Sequence, residues 1–230
     1  MRRISGRRTA IRWTAAAAAV TAGAMAVAGC GTQLGAAALY DNQRISSTRL
    51  ADEVANLNSA YQADKHKVQI SYTPAQMPQQ VLSWMLRFVT TDRAAHRLGV
   101  TVTPARAQFE LNAERARAAQ SGDSLTEAAV LNGLPPDLVH NLGRWIALQL
   151  LMQDKLDHGV TPKSTTAQQA LAVKINLLQC HAAKKLNITV NPQFGAYDYR
   201  QLTVVPVAST LAVAGGVPGA SASPSPPAAC

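Results

Sequence analysis

The amino-acid sequence predicts a mainly α-helical domain with a small β element joining its two ends. Alanine and leucine are abundant, whereas aromatic residues make up only 5% of the chain, and this composition favours helices over a β-sandwich. In several stretches between residues 45 and 187, apolar side chains recur every three or four residues, which is the spacing of one helix face. Short β-type runs lie near the ends of this region, at residues 36–40, 188–190 and 202–205.

The first helix is predicted to begin shortly after residue 45. Residues 41–42 are Asp-Asn, which favour a turn after the first β-type run, and Ser46 or Ser47 can cap the helix that follows. The apolar face of this helix consists of Leu50, Val54, Leu57 and Tyr61. Residues 64–77 are polar and lack periodicity, so we expect a loop there.

Proline and glycine delimit the second and third helices. Pro78 suits the first turn of the second helix, and Gly99 suits the position just after its end. Thr103 is a capping residue, and Pro104 begins the third helix, which is predicted to run to about Gln120. The third helix is the most charged in the chain, so we expect it to lie on the outside of the domain.

Three further helices follow from capping residues and apolar periodicity. Residues 124–127, Ser-Leu-Thr-Glu, have the spacing of a capping box and predict a short helix that ends at Gly133. Two prolines then precede the longest apolar helix, at about residues 137–158. The capping-box spacing recurs at residues 166–169 and predicts the start of the last helix. The apolar face of that helix consists of Leu171, Ile175, Leu178 and Ala182.

The first thirty residues have the pattern of an export signal. Five arginines and no acidic residue precede an alanine-rich apolar run at residues 13–28, and small residues stand immediately before Cys30. The sequence Val-Ala-Gly-Cys at residues 27–30 resembles a bacterial lipobox. This resemblance implies cleavage before Cys30 and acylation of that cysteine. Several acyl chains hold a protein stably on a membrane, since each buried CH₂ contributes about 0.8 kcal/mol.

Other interpretations of this segment are open. A plain secretory signal would leave Cys30 an ordinary cysteine. Arg7-Arg8 raises twin-arginine export, although residues 9–11 fit that motif poorly. A transmembrane anchor is disfavoured because the apolar run is short of the roughly 20 residues that a membrane span needs. We expect a protein held by a lipid on Cys30 at the extracytoplasmic face of the cell membrane.

The charge and the cysteines limit the possible partners. The net charge of the chain is +9, and the five arginines of the signal account for more than half of it. No basic stripe remains that would predict nucleic-acid binding. Besides Cys30 the chain has Cys180 and Cys230, and an oxidising compartment would permit a disulfide between them. We favour instead a small buried Cys180 and a free thiol at Cys230.

No catalytic or metal-binding constellation emerges from the sequence. The five histidines, at positions 66, 96, 140, 158 and 181, lack the spacing of a metal motif and are expected to be solvated. Cys180 and His181 are adjacent on a helix and point in different directions, which makes a poor nucleophile–base pair. Glu110 and Glu114 lie on a charged helix face and are expected to be solvated. We therefore predict no enzymatic activity and no cofactor.

Several weak motifs, in order, resemble the N-terminal domain of SurA and PrsA-type extracytoplasmic chaperones. Residues 39–46 match the family's opening strand, turn and Ile-Ser helix start, and residues 98–104 match its Gly-(Ile/Val)-x-Val-(Thr/Ser) helix ending. Residues 191–206 resemble the ending of the family's lipoprotein members. The resemblance covers residues 36–206. It departs at residues 41–43, where Asp-Asn-Gln replaces the usual Val-Asn-Gly turn.

The resemblance implies a helical domain in which the first strand pairs with the last ones. It also implies binding of unfolded or newly exported polypeptides. Some family members carry a parvulin prolyl-isomerase domain, but only a low-complexity segment follows residue 206 here, so we expect no isomerase activity. The predicted organisation is a signal at 1–29, a tether at 30–35, the helical domain at 36–206 and a disordered tail at 207–230.

Two clusters of bulky apolar side chains are the candidates for peptide binding. One lies on the second helix and the other on the fifth: Trp84, Met85, Phe88, Trp145, Leu148 and Met152. Methionine adapts to varied partners, although any one of these residues can equally belong to the core. The alternative hypothesis is a non-catalytic envelope adaptor that binds one specific protein partner.

Overall fold

A computed structural model of the chain describes residues 35–64, 69–159, 164–207 and 230. Within these residues the fold is mainly helical with a small antiparallel sheet, which confirms the predicted class. The helices are α1 (Ser47–Asp64), α2 (Met77–Arg97), α3 (Pro104–Gln120), α4 (Leu125–Leu131), α5 (Val139–Leu156) and α6 (Thr165–Lys185). The strands are β1 (Ala36–Tyr40), β2 (Gln43–Ser46), β3 (Thr189–Val190), β4 (Ala196–Asp198) and β5 (Thr203–Val205).

Helix α2 lies at the centre of the domain. It packs against α1, α5, α6 and β5, and its buried residues occupy most of its circumference. A helix that is covered on so many sides needs small or hydrogen-bonded polar residues among its apolar ones. Three such residues are fully or almost fully buried, namely Ser83, Thr90 and Thr91.

The sheet joins the beginning and the end of the domain. β1 lies between β2 and β3 and is antiparallel to both, and Leu39 is paired with Thr189. β4 and β5 form a separate antiparallel hairpin. Ser83 of α2 holds this hairpin, because its Oγ accepts hydrogen bonds from Thr203 Oγ1 and from Val204 N, each at 2.9 Å.

Most helix starts lie where the capping residues predict them. Thr103 Oγ1 accepts a hydrogen bond from Arg106 N at 3.2 Å, and Ser124 forms the complete capping box with Glu127. The predicted cap of α6 is wrong, because Ser164 rather than Thr166 accepts the bond from Ala167 N, at 3.2 Å. Three successive hydroxyl residues, 164–166, are all suitable caps, so the spacing to Gln169 did not identify the one that is used.

Helix α3 is largely exposed, as expected, but the prediction that Glu110 is solvated is wrong. The Glu110 side chain is only 4% exposed and pairs with Arg106 at 2.7 Å. The cause is a close approach of α3 to α5. A Cβ built on Gly143 of α5 would lie 2.2 Å from the carbonyl oxygen of Ala107, so this glycine lets the two helices touch.

Cys180 and Cys230 form a disulfide, with their Cα atoms 6.0 Å apart, a usual separation for such a bond. The favoured interpretation of two free thiols is therefore wrong. Cys180 is buried on α6, as expected, but residue 230 returns to that helix. No local pattern near the end of the sequence signals this return.

Several predictions fall outside the described residues. These are the export signal, the acylation of Cys30, the tether up to residue 34, the solvation of His66 and nearly all of the predicted tail, at 208–229. None of the helices in the described ranges is both long enough and apolar enough to span a membrane.

Candidate binding cleft

A cleft of about 470 Å³ opens between α2, α5 and the turn that joins β1 to β2. Its volume lies within the usual range for ligand sites, about 300–1,000 Å³. The apolar part of its lining consists of Tyr40, Phe88, Val89, Trp145, Leu148 and Leu186. Asp92, Arg93 and Arg144 are among the polar residues at the same opening.

Two ion pairs hold the walls of the cleft to α2. Arg93 of α2 pairs with Asp41 in the β1–β2 turn, and Asp92 of α2 pairs with Arg144 of α5. All four side chains are roughly half exposed, so each pair contributes at most about 1 kcal/mol to stability. The rim therefore carries charges of both signs that are already neutralised.

Asp41 lines the side of the cleft that the β1–β2 turn forms. Its φ is 52°, a left-handed conformation that aspartate tolerates better than most residues. Its backbone N–H donates to the carbonyl of Leu186 at 2.6 Å, and its carboxylate pairs with Arg93. The Asp-Asn-Gln sequence thus supports a hairpin turn here without a glycine.

The aromatic residues predicted on two separate helices meet in the folded domain. The rings of Trp84 and Trp145 pack edge to face with centroids 5.7 Å apart, and Trp84 lies 5.8 Å from Phe88. Such aromatic pairs contribute about 0.5–1.5 kcal/mol beyond their buried area. The guanidinium of Arg87 lies over the Trp84 ring, 4.6 Å from its centroid.

Hydrogen bonds fix both indoles. Trp84 Nε1 donates to the carbonyl of Asn132 at 2.8 Å. Trp145 Nε1 donates to Thr91 Oγ1 at 3.1 Å, and the same oxygen accepts from Gln179 Nε2 at 3.1 Å. Because Thr91 and Gln179 are buried, α2, α5 and α6 meet at one satisfied polar site behind the cleft.

The six residues predicted for peptide binding divide into two groups. Trp84, Phe88 and Trp145 are partly buried, and the last two line the cleft. Met85, Leu148 and Met152 are at most 5% exposed; Leu148 lies at the cleft floor, and the two methionines belong to the core. The methionines therefore offer little surface to a ligand in this conformation.

Sequence reasoning missed the residues that the hairpin turn and the ion pairs contribute. Tyr40 and Asp41 stand in a predicted strand and turn, and nothing nearby relates them to α2. Asp41 and Arg93 are 52 positions apart, as are Asp92 and Arg144. Only the packing of the hairpin and of α5 on α2 brings these groups together.

Among the titratable groups away from the cleft, Tyr72 and Glu53 have raised pKa values. Burial raises the pKa of Tyr72 to about 12, and its hydroxyl donates to the carbonyl of Val130 at 2.6 Å. The pKa of Glu53 is raised chiefly by burial and then by the nearby Asp137. Its Oε2 atom is buried without a hydrogen-bond partner among the described residues. We expect the Glu53 charge to destabilise the fold.

Metal-ligand chemistry finds no support in the described part of the chain. No group of three or more His, Cys, Asp or Glu side chains there could hold a metal ion. The four histidines in those ranges, at positions 96, 140, 158 and 181, are all exposed, as expected.

Among known proteins, no family model, no curated protein and no solved structure matches the chain.

Proposed function

We propose that the protein is a membrane-tethered chaperone that holds unfolded or newly exported polypeptides without catalysing prolyl isomerisation. The observation that supports this most is the open cleft, in which partly exposed Phe88 and Trp145 lie above an apolar floor. A polypeptide segment that places one bulky side chain there buries about 200 Å². At about 25 cal/mol per Å², this contributes roughly 5 kcal/mol before the entropic cost of binding.

The charge arrangement of the rim favours broad rather than selective binding. Each arginine at the rim has an aspartate partner, so neither sign of charge on a client is strongly repelled. Modest affinity and weak charge selection suit a protein that holds many clients and releases them. The motifs that resemble SurA and PrsA-type chaperones support the same function.

The predicted export signal and lipid attachment at Cys30 support a location at the extracytoplasmic face of the cell membrane. Acyl chains on Cys30 would keep the domain at the surface from which exported polypeptides emerge. The domain would then meet its clients before they fold. This arrangement needs neither a membrane-spanning helix nor a catalytic group.

A second function, an adaptor for one specific protein, is favoured by a different surface. Phe109 of α3 is 62% exposed, and the guanidinium of Arg106 lies 5.5 Å from its ring centroid. Exposed aromatic residues beside arginine are common at the centres of protein interfaces. The two functions therefore predict different critical residues, Trp145 for the chaperone and Phe109 for the adaptor.

The test is aggregation of an unrelated unfolding protein in the presence of residues 31–230 with the disulfide formed. We expect suppression at near-stoichiometric ratios. Replacing Phe88 and Trp145 by alanine should weaken it several-fold, because the apolar contact is lost. Phe109→Ala is the matched control, an aromatic truncation outside the cleft, and it should retain suppression. No suppression by the unmodified protein would overturn the proposal and favour the adaptor.

A prolyl-isomerisation assay on the same material completes the test. We expect no acceleration over the uncatalysed rate. Acceleration would contradict the proposed absence of isomerase activity and would require a catalytic group that the sequence does not indicate.

A further inference from the structure

Arg87 differs from the paired arginines of the domain. Four arginines on α2, α3 and α5 each pair with a carboxylate: Arg93, Arg106, Arg117 and Arg144. The Arg87 side chain makes no ion pair and no hydrogen bond with any residue in the described ranges, although it is only partly exposed; its backbone carbonyl accepts from Thr90 Oγ1 at 3.1 Å. Its five N–H donors therefore have no partner among the described residues, while most of its side chain is removed from water.

An aromatic ring positions the Arg87 guanidinium. The guanidinium stacks on the Trp84 ring at 4.6 Å, and the indole is held in turn by its bond to the Asn132 carbonyl. The ring of Trp145 packs edge to face with the same indole. A stacked guanidinium that retains its free donors loses little further conformational entropy when it binds a planar anion.

Burial makes this cation a stronger partner for an anion than the arginines of the rim. Most of the Arg87 side chain is buried, and this burial lowers the pKa of its guanidinium; the neighbouring Tyr197 offsets the shift only in part. A poorly solvated guanidinium gains more from a carboxylate than an exposed one, since less water has to be displaced. The planar fork matches the two oxygens of a carboxylate.

The distance between Arg87 and the cleft determines the spacing of the side chains that one bound polypeptide could place at both. Because Trp84 contacts both Arg87 and Trp145, the guanidinium lies within about 10 Å of the Trp145 ring. An extended polypeptide spans about 3.3 Å per residue and its side chains alternate between two faces, so side chains that share a face within this limit are two residues apart. One segment can therefore place an apolar side chain in the cleft and an acidic side chain at Arg87.

We propose that Arg87 is a carboxylate-binding residue beside the cleft, which takes an acidic side chain located two residues from the apolar side chain that the cleft holds. This inference rests on the proposed binding of polypeptides. It adds a preference for acidic segments that the neutralised rim does not supply.

The experiment compares two labelled, blocked peptides that are identical except for glutamate or glutamine two residues after a central leucine. Binding to residues 31–230 is measured by fluorescence anisotropy at low salt and at 0.5 M salt. We expect the glutamate peptide to bind about tenfold more tightly at low salt, as a charge-assisted hydrogen bond predicts, and the ratio to fall at high salt. Arg87→Gln should bring the ratio close to one.

Arg115→Gln is the matched control, because Arg115 is an exposed arginine of α3 that bonds to Asn112 and lies outside the cleft lining. It removes the same net charge and should leave the ratio unchanged. Arg87→Lys keeps the charge but not the planar fork, and it should keep only part of the preference. Circular dichroism establishes that each variant is folded.

The outcomes separate this inference from the proposed function. Equal binding of both peptides to the unmodified protein would overturn the role of Arg87 and leave the chaperone function standing. A preference that Arg115→Gln abolishes as fully as Arg87→Gln would show a general charge effect and would also overturn it. If neither the glutamate peptide nor the glutamine peptide bound, the result would count against the proposed function itself. If Arg87→Gln does not fold, Arg87→Lys and the ratio in the unmodified protein decide the matter.

Discussion

At the scale of single residues, polar groups that lie inside the domain have contrasting roles. Thr91 and Ser83 each accept two hydrogen bonds from other elements and thereby connect α2 to its neighbours. Glu53, by contrast, has a buried Oε2 atom without a partner among the described residues. A satisfied buried group stabilises a fold, whereas an unsatisfied charged one destabilises it.

Replacing Glu53 by glutamine should raise the thermal unfolding temperature at neutral pH. Burial, followed by the charge of Asp137, raises the pKa of Glu53, so the folded state binds this proton more tightly than the unfolded state does. The charged carboxylate therefore lowers stability as the pH rises above the unfolded value of about 4.5. The gain from Glu53→Gln should be present at pH 7 and disappear near pH 4.

Melting curves of both proteins between pH 4 and pH 8 measure this effect. Asp52→Asn, at an exposed neighbouring position, is the control and should show a much smaller gain. A lower melting temperature for Glu53→Gln at pH 7 would contradict the proposed role of burial.

At the scale of elements, the helix boundaries were predictable because their signals are local. Thr103-Pro104 and the capping box at 124–127 define helix starts within a few residues of chain. The errors arose where distant elements decide the outcome. Glu110 is buried only because α5 approaches α3 at Gly143, and the short strand β4 exists only through its pairing with β5.

The cleft was predictable only in part for the same reason. Bulky apolar residues on α2 and α5 were visible as candidates, and the structure brings Phe88 and Trp145 to one opening. Their spacing along each helix could not show which side chains the core would take. Met85 and Met152 face the interior because other elements cover those sides of their helices.

Gly143→Ala should destabilise the domain although alanine is the better helix former. In an open helix this change would stabilise by about 0.5–1 kcal/mol. Here the new Cβ would lie 2.2 Å from the backbone oxygen of Ala107, and backbone cannot move aside as a flexible side chain can. We expect a net loss of about 1–3 kcal/mol in the free energy of unfolding, typical of overpacking.

Chemical denaturation of Gly143→Ala gives this free energy. Gln120→Ala, at the exposed end of α3, is the control and should change stability by less than about 0.5 kcal/mol. Unchanged or increased stability of Gly143→Ala would show that α3 does not press against α5 as the structure describes.

At the scale of the whole molecule, two covalent features matter besides the packing of the helices. One is the disulfide between Cys180 and Cys230, which closes a loop of 50 positions. The other is the proposed lipid on Cys30. Each is formed by chemistry that follows translation.

Loss of the disulfide should lower stability without abolishing the fold. A loop of this length corresponds to about 2–4 kcal/mol of stabilisation through the unfolded state. Cys180→Ser and reduction of the unmodified protein should both lower the denaturation midpoint, and reduction should not affect the variant further. Intact mass before and after alkylation counts the free thiols. Residues 31–230 contain only Cys180 and Cys230. If both of these cysteines were alkylated without prior reduction, the disulfide would be contradicted.

Cys30→Ala should release the protein from the membrane. The change removes the only thiol that the lipobox-like sequence offers for acylation, and with it the anchoring energy of the chains. Fractionation of cells that produce the full chain should then find the variant outside the membrane fraction. Ser47→Ala is a suitable control because it leaves the signal intact. If Cys30→Ala stayed fully membrane-bound, the lipid anchor would be excluded.

The pairing of β1 with β3 has a consequence in time. Leu39 meets Thr189, so a chain that emerges amino-terminus first forms its β1–β2 hairpin early but waits about 150 residues for the third strand. At about 5–20 residues per second, synthesis of that interval takes roughly 10–30 s. Because a hairpin forms in microseconds, the time at which β3 pairs with β1 is determined by the synthesis of the intervening chain and not by the rate of strand pairing. The domain that is proposed to hold unfolded polypeptides is therefore itself incompletely folded until nearly all of it has emerged.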